Sequence, residues 1–171
     1  WAYLKDFKPN PKVLKEYNLR KERYIFIREV ASVSLNYQKK RLVDVRKPID
    51  KIKREGYEIV LSLEDKSKEK EFKDCIVLKE PVMDFHSLMY YAKAVISSGD
   101  TIAREAALLG VPSMYTGGRE MKINEELIKD ELIMFSNTGE DALTFLSRSK
   151  KKILESDLED TTEVIIKEIL N

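Results

Sequence analysis

Apolar residues in this chain come in short compact runs, with longer amphipathic stretches between them. Tyr24-Ile25-Phe26-Ile27 is the first run; it is rich in β-formers and predicts a buried strand. Glu58–Leu63, Ile76–Leu78, Ala94–Ser97, Pro112–Tyr115 and Leu132–Phe135 repeat the pattern. Helical spacing takes over between them. Val45, Ile49 and Ile52 share one face of a helix that Gly56 stops, with Pro48 tolerated near its first turn. Lys66–Asp74 is charge-dense and reads as a solvated connection carrying a short helix. Phe85–Ala92, Thr101–Leu109, Ile123–Lys129 and Gly139–Arg148 read as helices, and Leu158–Leu170 as an amphipathic one. Residues 1–19, with Pro9 and Pro11, form a lead-in ending in a short helix around Val13–Tyr17; residues 20–171 form the domain proper. Strands alternating with helices imply an α/β fold. We expect a three-layer, Rossmann-like parallel sheet of about six strands, covered on both faces.

Composition narrows the chemistry. A chain of 171 residues with 43% hydrophobic content can bury a real core, so disorder is excluded. Lys and Arg number 31 against 30 for Asp and Glu, so no basic field points to nucleic acid. Cys75 is the only cysteine and His86 the only histidine, which leaves neither a disulfide nor the ligands of a structural zinc. No metal is expected, and a reducing cytoplasm is. No apolar stretch approaches the roughly 20 residues that span a bilayer. The chain opens on Trp1 rather than Met, so we expect a piece of a longer protein.

In open parallel sheets, ligands sit at the carboxyl ends of the strands, near a switch point. The stretch Ser98-Gly99-Asp100-Thr101 follows a strand and opens a helix, so free amides and the helix dipole can hold an anion there. Gly99 permits close backbone approach, and Ser98 and Thr101 add hydroxyls. Glu105 lies one turn further on the face of Thr101, where a carboxylate can accept both hydroxyls of a ribose. The same residues also make ordinary strand-to-helix turns. Asp100 repels phosphate by about 4 kcal/mol at 4 Å and an effective dielectric near 20. It therefore caps the helix, is offset by a metal or an arginine, or marks a degraded anion site. Arg28, ending the first strand, offsets phosphate or forms a surface ion pair. Arg119, in the loop after Gly117-Gly118, is a candidate to clamp a diphosphate. Cys75 reads as a small hydrophobe, Tyr90 and Tyr91 as packing residues, and Lys150-Lys151-Lys152 as solvated charge.

The blocks Glu80-Pro81-Val82-Met83-Asp84-Phe85-His86, Ser97–Thr101, Arg104-Glu105-Ala106 and Gly110-Val111-Pro112 resemble the C-terminal half of UDP-N-acetylglucosamine 2-epimerases. That half has the GT-B glycosyltransferase fold. With the lead-in Tyr3–Pro9 and the run Ala103–Gly110, the chain is also similar to the largely archaeal domain of unknown function 354 family. The resemblance implies a nucleotide sugar, such as a UDP-sugar, as ligand, with no separate cofactor. It places Phe85 against the base, Ser98 and Gly99 on the diphosphate, Glu105 on the ribose, and the loop Thr116–Glu120, with Gly117, Gly118 and Arg119, toward the sugar. His86 stands as a ligand contact or a structural residue.

Two positions depart from the epimerase pattern. Asp100 replaces a second glycine, and Ile27 stands where a histidine precedes Arg28. The missing histidine favours a transferase-like parent over an epimerase. The resemblance also implies that the chain is a fragment of a longer two-domain protein, with a cleft shared with a preceding N-terminal domain, an inactive isolated half, and a homodimer. The other reading is a non-catalytic interaction or effector-binding domain with a vestigial nucleotide site.

Overall fold

A computed structural model describes residues 4, 6–31, 46–79, 81–151 and 161–170. Among the described residues six strands make one sheet: β1 (Tyr24–Glu29), β2 (Glu58–Leu63), β3 (Ile76–Val77), β4 (Ala94–Ser97), β5 (Ser113–Tyr115) and β6 (Ile133–Phe135). Their spatial order is β3-β2-β1-β4-β5-β6, and every pair is parallel. The chain thus leaves β1 toward one edge of the sheet and β4 toward the other. This is the three-layer, Rossmann-like arrangement expected from the alternation of runs, and its switch point lies between β1 and β4.

The described residues include seven α-helices: α1 (Lys12–Glu16), α2 (Arg46–Arg54), α3 (Phe85–Tyr91), α4 (Asp100–Leu108), α5 (Lys122–Lys129), α6 (Ala142–Arg148) and α7 (Thr161–Leu170). Strand periodicity decides which face meets which helix. Ile25 and Ile27 point into a core closed by Ile49 and Ile52 of α2 and Phe145 and Leu146 of α6. Tyr24 and Phe26 point the other way, into a core closed by α1, α3 and α4 through Val13, Leu88, Met89 and Ala106. All four strand residues are fully buried, which is why the run shows no polar alternation. Each contributes roughly 1.5–3 kcal/mol of apolar burial. A third cluster, with Ala103, Ala107, Tyr115, Leu127 and Ile133, seats α4 and α5 on the β5–β6 edge.

Some element ends differ from the sequence pattern, for local reasons. The helix expected from Gly139 begins at Ala142, because Gly139 has a φ of +68° and donates its amide to Ser136 Oγ at 3.0 Å. The helix expected from Thr101 begins at Asp100, with extended Gly99 as its N-cap. The charged stretch after β2 is a 3₁₀ helix, Lys66–Phe72, whose Phe72 is buried. Val45 and residues 158–160 lie outside the described residues, as do Trp1, Tyr3, Glu80 and Lys152.

The lead-in is docked on the domain. Asn10 donates its amide to Ser87 Oγ at 2.8 Å, and the Tyr91 hydroxyl donates to the Pro9 carbonyl at 3.3 Å. No helix among the described residues is long and apolar enough to cross a membrane.

Candidate functional site

The carboxyl ends of β1, β4 and β5 converge on the start of α4. Ser98 donates its amide to the Arg28 carbonyl at 3.0 Å, and its hydroxyl accepts from the Val30 amide at 2.9 Å. Ser98 is fully buried, so its side chain ties the β4 turn to the β1 turn. Gly99 donates its amide to Ser97 Oγ at 3.0 Å, and Ser97 Oγ donates in turn to the Gly99 carbonyl at 2.7 Å. A Cβ on Gly99 would sit 3.0 Å from Val30 Cγ1. The turn is therefore tightly closed on itself. The first-turn amides of α4, at Thr101 and Ile102, have no carbonyl of their own helix to donate to.

Asp100 is the first residue of α4, directly after its N-cap Gly99. Its buried carboxylate lies 3.3 Å from Arg104 Nη2 and 3.5 Å from Arg119 Nη1. Of the alternatives open in the sequence, this geometry is the arginine offset. Two guanidinium charges, added to the positive end of the helix dipole, outweigh the single carboxylate. Arg104 also reaches Thr101 Oγ1 at 3.4 Å.

Glu105, one turn further, is not a solvated helix residue: its side chain is 10% exposed, and its Oε2 lies 3.3 Å from His86 Nε2. His86 belongs to α3, whose first turn is capped by Asp84 accepting from the Ser87 amide. Beside it Phe85 packs edge-on against Phe26, ring centroids 5.0 Å apart, so that ring is half built into the core.

The loop after β5 closes the set. Tyr115 Oη accepts from the Arg119 amide at 3.0 Å and lies 3.3 Å from the Arg119 carbonyl, which fixes the turn. A Cβ on Gly117 would fall 2.3 Å from the Ser98 carbonyl, so only glycine fits there. Gly118 follows, half-buried. Arg119 itself is 40% exposed on its side chain. Two polar side chains here have no hydrogen-bond partner among the described residues: Thr116 Oγ1 and both amide atoms of Asn124. Both residues are buried, at 3% and 4% exposure. Asn124, in the first turns of α5, was not visible as a candidate in the sequence, where it reads as one polar residue in a charged helix.

Other sequence candidates fall outside this set. Arg28 leans toward β2, donating to Ser62 Oγ at 2.7 Å and pairing with Glu64 at 3.0 Å. Of its two readings, the ion pair is the one seen. Glu29 is bound by Lys68, whose pKa is raised by that hydrogen bond. Lys151 is not solvated: it bonds the Tyr90 carbonyl, lies near Glu22, and burial lowers its pKa. Cys75 is half-buried against the α2–α6 core, and burial raises its thiol pKa. No group of three or more potential metal ligands occurs among the described residues. A cavity of about 630 Å³ lies between α5 and α6 along β6, and shares no residue with the site.

Residues 2–171 match the family described as protein of unknown function (DUF354). The chain belongs to that family. One relative of the DUF354 chain is the uncharacterized protein MJ0665 of Methanocaldococcus jannaschii, 27% identical over 100 residues, which are 57% of this chain and 29% of the relative. Among solved structures, the DUF354 chain is similar to the UDP-GlcNAc 2-epimerase of the same organism, in complex with UDP-GlcNAc and UDP. The TM-score is 0.68 at 17% identity, over 94% of this chain and 48% of the epimerase. The enzyme from Rickettsia bellii gives 0.66 at 19% identity, over 99% and 47%. That from Neisseria meningitidis, bound to UDP-GlcNAc, gives 0.59 at 13%, over 99% and 50%. The DUF354 chain thus spans about half the length of these epimerases and shares their fold.

Proposed function

We propose that this domain binds a nucleoside-diphosphate sugar at the carboxyl end of its sheet, as one half of a GT-B-like protein. The observation that carries the reading is the start of α4: first-turn amides without an intrahelical acceptor at the switch point, Arg104 and Arg119 on the Asp100 carboxylate, and a buried carboxylate, Glu105, one turn along. A diphosphate meets the amides and Arg119, the ribose meets Glu105, and the base lies near Phe85. The unpartnered Thr116 hydroxyl supports a polar ligand on the β5 side. The likeness to epimerases whose structures hold UDP-GlcNAc and UDP supports the choice of a UDP-sugar. In the full protein the same amides and arginines would stabilise a departing diphosphate, which is the electrostatic task of a transferase. Ile27, in place of the histidine carried by epimerases, favours that over epimerisation.

The test is a ¹⁵N NMR titration with UDP and UDP-N-acetylglucosamine, with GDP and ADP as controls. A half-site is expected to bind near millimolar, about −4 kcal/mol. Saturable shifts at Phe85, Gly99, Thr101, Glu105 and Gly117 with the uridine ligands, lost in Glu105→Ala, are the expected result. No shift with any nucleotide at several millimolar overturns it. The second reading, an interaction or effector-binding domain, is favoured by Asp100 and would then take its place.

A further inference from the structure

We infer that the groove between α5 and α6, along β6, is a docking site for α7 of a second copy of this chain, and that two copies exchange helices reciprocally. The inference does not depend on the nucleotide reading, since the groove shares no residue with that site.

β6 ends the sheet, with β5 as its only neighbouring strand among the described residues. An edge strand in apolar surroundings invites pairing with other chains, and a covering helix is one of the ways in which native proteins protect it. The cavity of about 630 Å³ runs along this edge. Leu132, Ile133, Phe135 and Phe145 supply its apolar walls, and Phe135 is 46% exposed. None of the described residues of α7 lines it, so the helix does not occupy the groove of its own chain.

α7 nevertheless has the surface that such a groove takes. Ile165, Ile166, Ile169 and Leu170 are all exposed. Ile166, Ile169 and Leu170 are spaced i, i+3, i+4, the anchor pattern by which an amphipathic helix seats in an apolar groove. The charges match as well. The charged residues lining the groove are two basic and one acidic: Arg148, Lys150 and Glu131. Those of α7 are two acidic and one basic: Glu163, Glu168 and Lys167. Each chain thus carries one open groove and one unpartnered helix face. Two reciprocal dockings use all four surfaces and close as a two-fold dimer, without leaving an end for a third copy. Lys150 lines the groove and α7 begins at Thr161, so residues 151–160 connect them. Ten extended residues reach about 33 Å, enough to cross a two-fold axis beside the groove.

The experiment is sedimentation velocity on the whole 171-residue chain over a range of concentrations. The unaltered chain is expected to dimerise with a micromolar dissociation constant. A helix variant, Ile166→Lys with Ile169→Lys, raises that constant about tenfold or more. So does a groove variant, Phe135→Lys. A second groove variant, Arg148→Glu with Lys150→Glu, changes only exposed side chains and keeps the test open if Phe135→Lys fails to fold. Mixing the helix variant with a groove variant brings one intact groove to one intact helix, so the mixture associates more tightly than either variant alone. If the helix variant associates as the unaltered chain does, the inference falls. If the groove variants do so, the helices pair with one another and it falls too. A mixture no tighter than its components overturns it, as does a chain that stays monomeric up to about 1 mM, which would leave α7 to its own domain or to another partner.

Discussion

Asp100 poses the sharpest question at the scale of single residues. Its carboxylate stands at the first position of α4, where negative charge favours the helix but opposes a bound phosphate. Arg104 and Arg119 answer it from 3.3 and 3.5 Å. Replacing Asp100 by Asn keeps the volume and removes the charge, leaving both guanidinium groups to the ligand. Asp100→Asn should bind UDP about tenfold more tightly, by roughly 1–2 kcal/mol after screening. Its fold should weaken by about 1–2 kcal/mol through loss of the buried pair and the dipole contribution. Paired titration and urea denaturation check both signs, and weaker UDP binding would show that Asp100 acts through holding Arg119 in place. The sequence made Asp100 conspicuous but could not say what faced it, because Arg119 lies 19 residues away on another element. The same limit hid the pairing of His86 with Glu105: it depends on how α3 packs on α4, not on spacing along either helix. Lys151 reads as one of three adjacent lysines, and only the tertiary packing shows that Tyr90 and Glu22 half-bury it.

Among elements, the turns between strand and helix are where the sequence was most explicit and where the fold is least tolerant. Ser98-Gly99-Asp100-Thr101 and Thr116-Gly117-Gly118 both stand out as breaks between an apolar run and a helical pattern. The reason for Gly117 is nevertheless not legible in one dimension. Its φ is not among the positive values. What requires glycine is space: a Cβ there meets the Ser98 carbonyl at 2.3 Å and the Tyr115 ring at 2.5 Å. A backbone oxygen held by the β4 turn cannot move aside as the end of a flexible side chain can. Gly117→Ala should therefore lose about 3 kcal/mol of stability, at the upper end of what overpacking costs. Because the displaced atom belongs to the β4 turn, the ¹⁵N shifts of Ser98, Gly99 and Thr101 should move as well. Urea denaturation read with an HSQC spectrum tests this; a loss under about 0.5 kcal/mol would mean that the two loops are not locked together.

At the scale of the whole molecule, the alternation of strand and helix made the three layers legible, since four fully buried residues in a row at Tyr24–Ile27 can only lie inside a covered sheet. The order β3-β2-β1-β4-β5-β6 is not written in any local run; it follows from handed crossovers that must place each helix over the sheet. The C-terminal helix is the exception to this closure. Ile165, Ile166, Ile169 and Leu170 of α7 are 53, 50, 75 and 79% exposed, whereas the apolar faces of α2 and α6 meet the core. Its amphipathic pattern was plain from the sequence, but periodicity shows only that a face exists and not that anything covers it. Residues this exposed contribute little apolar burial to the domain, and together they leave a contiguous sticky face. The double substitution Ile169→Lys and Leu170→Lys should accordingly leave the unfolding free energy within about 0.5 kcal/mol of the unaltered chain. It should also reduce concentration-dependent association of this chain in sedimentation velocity. A stability loss of 2 kcal/mol or more would instead show that α7 packs on the domain in solution, and the helix would then belong with the core rather than with the surface.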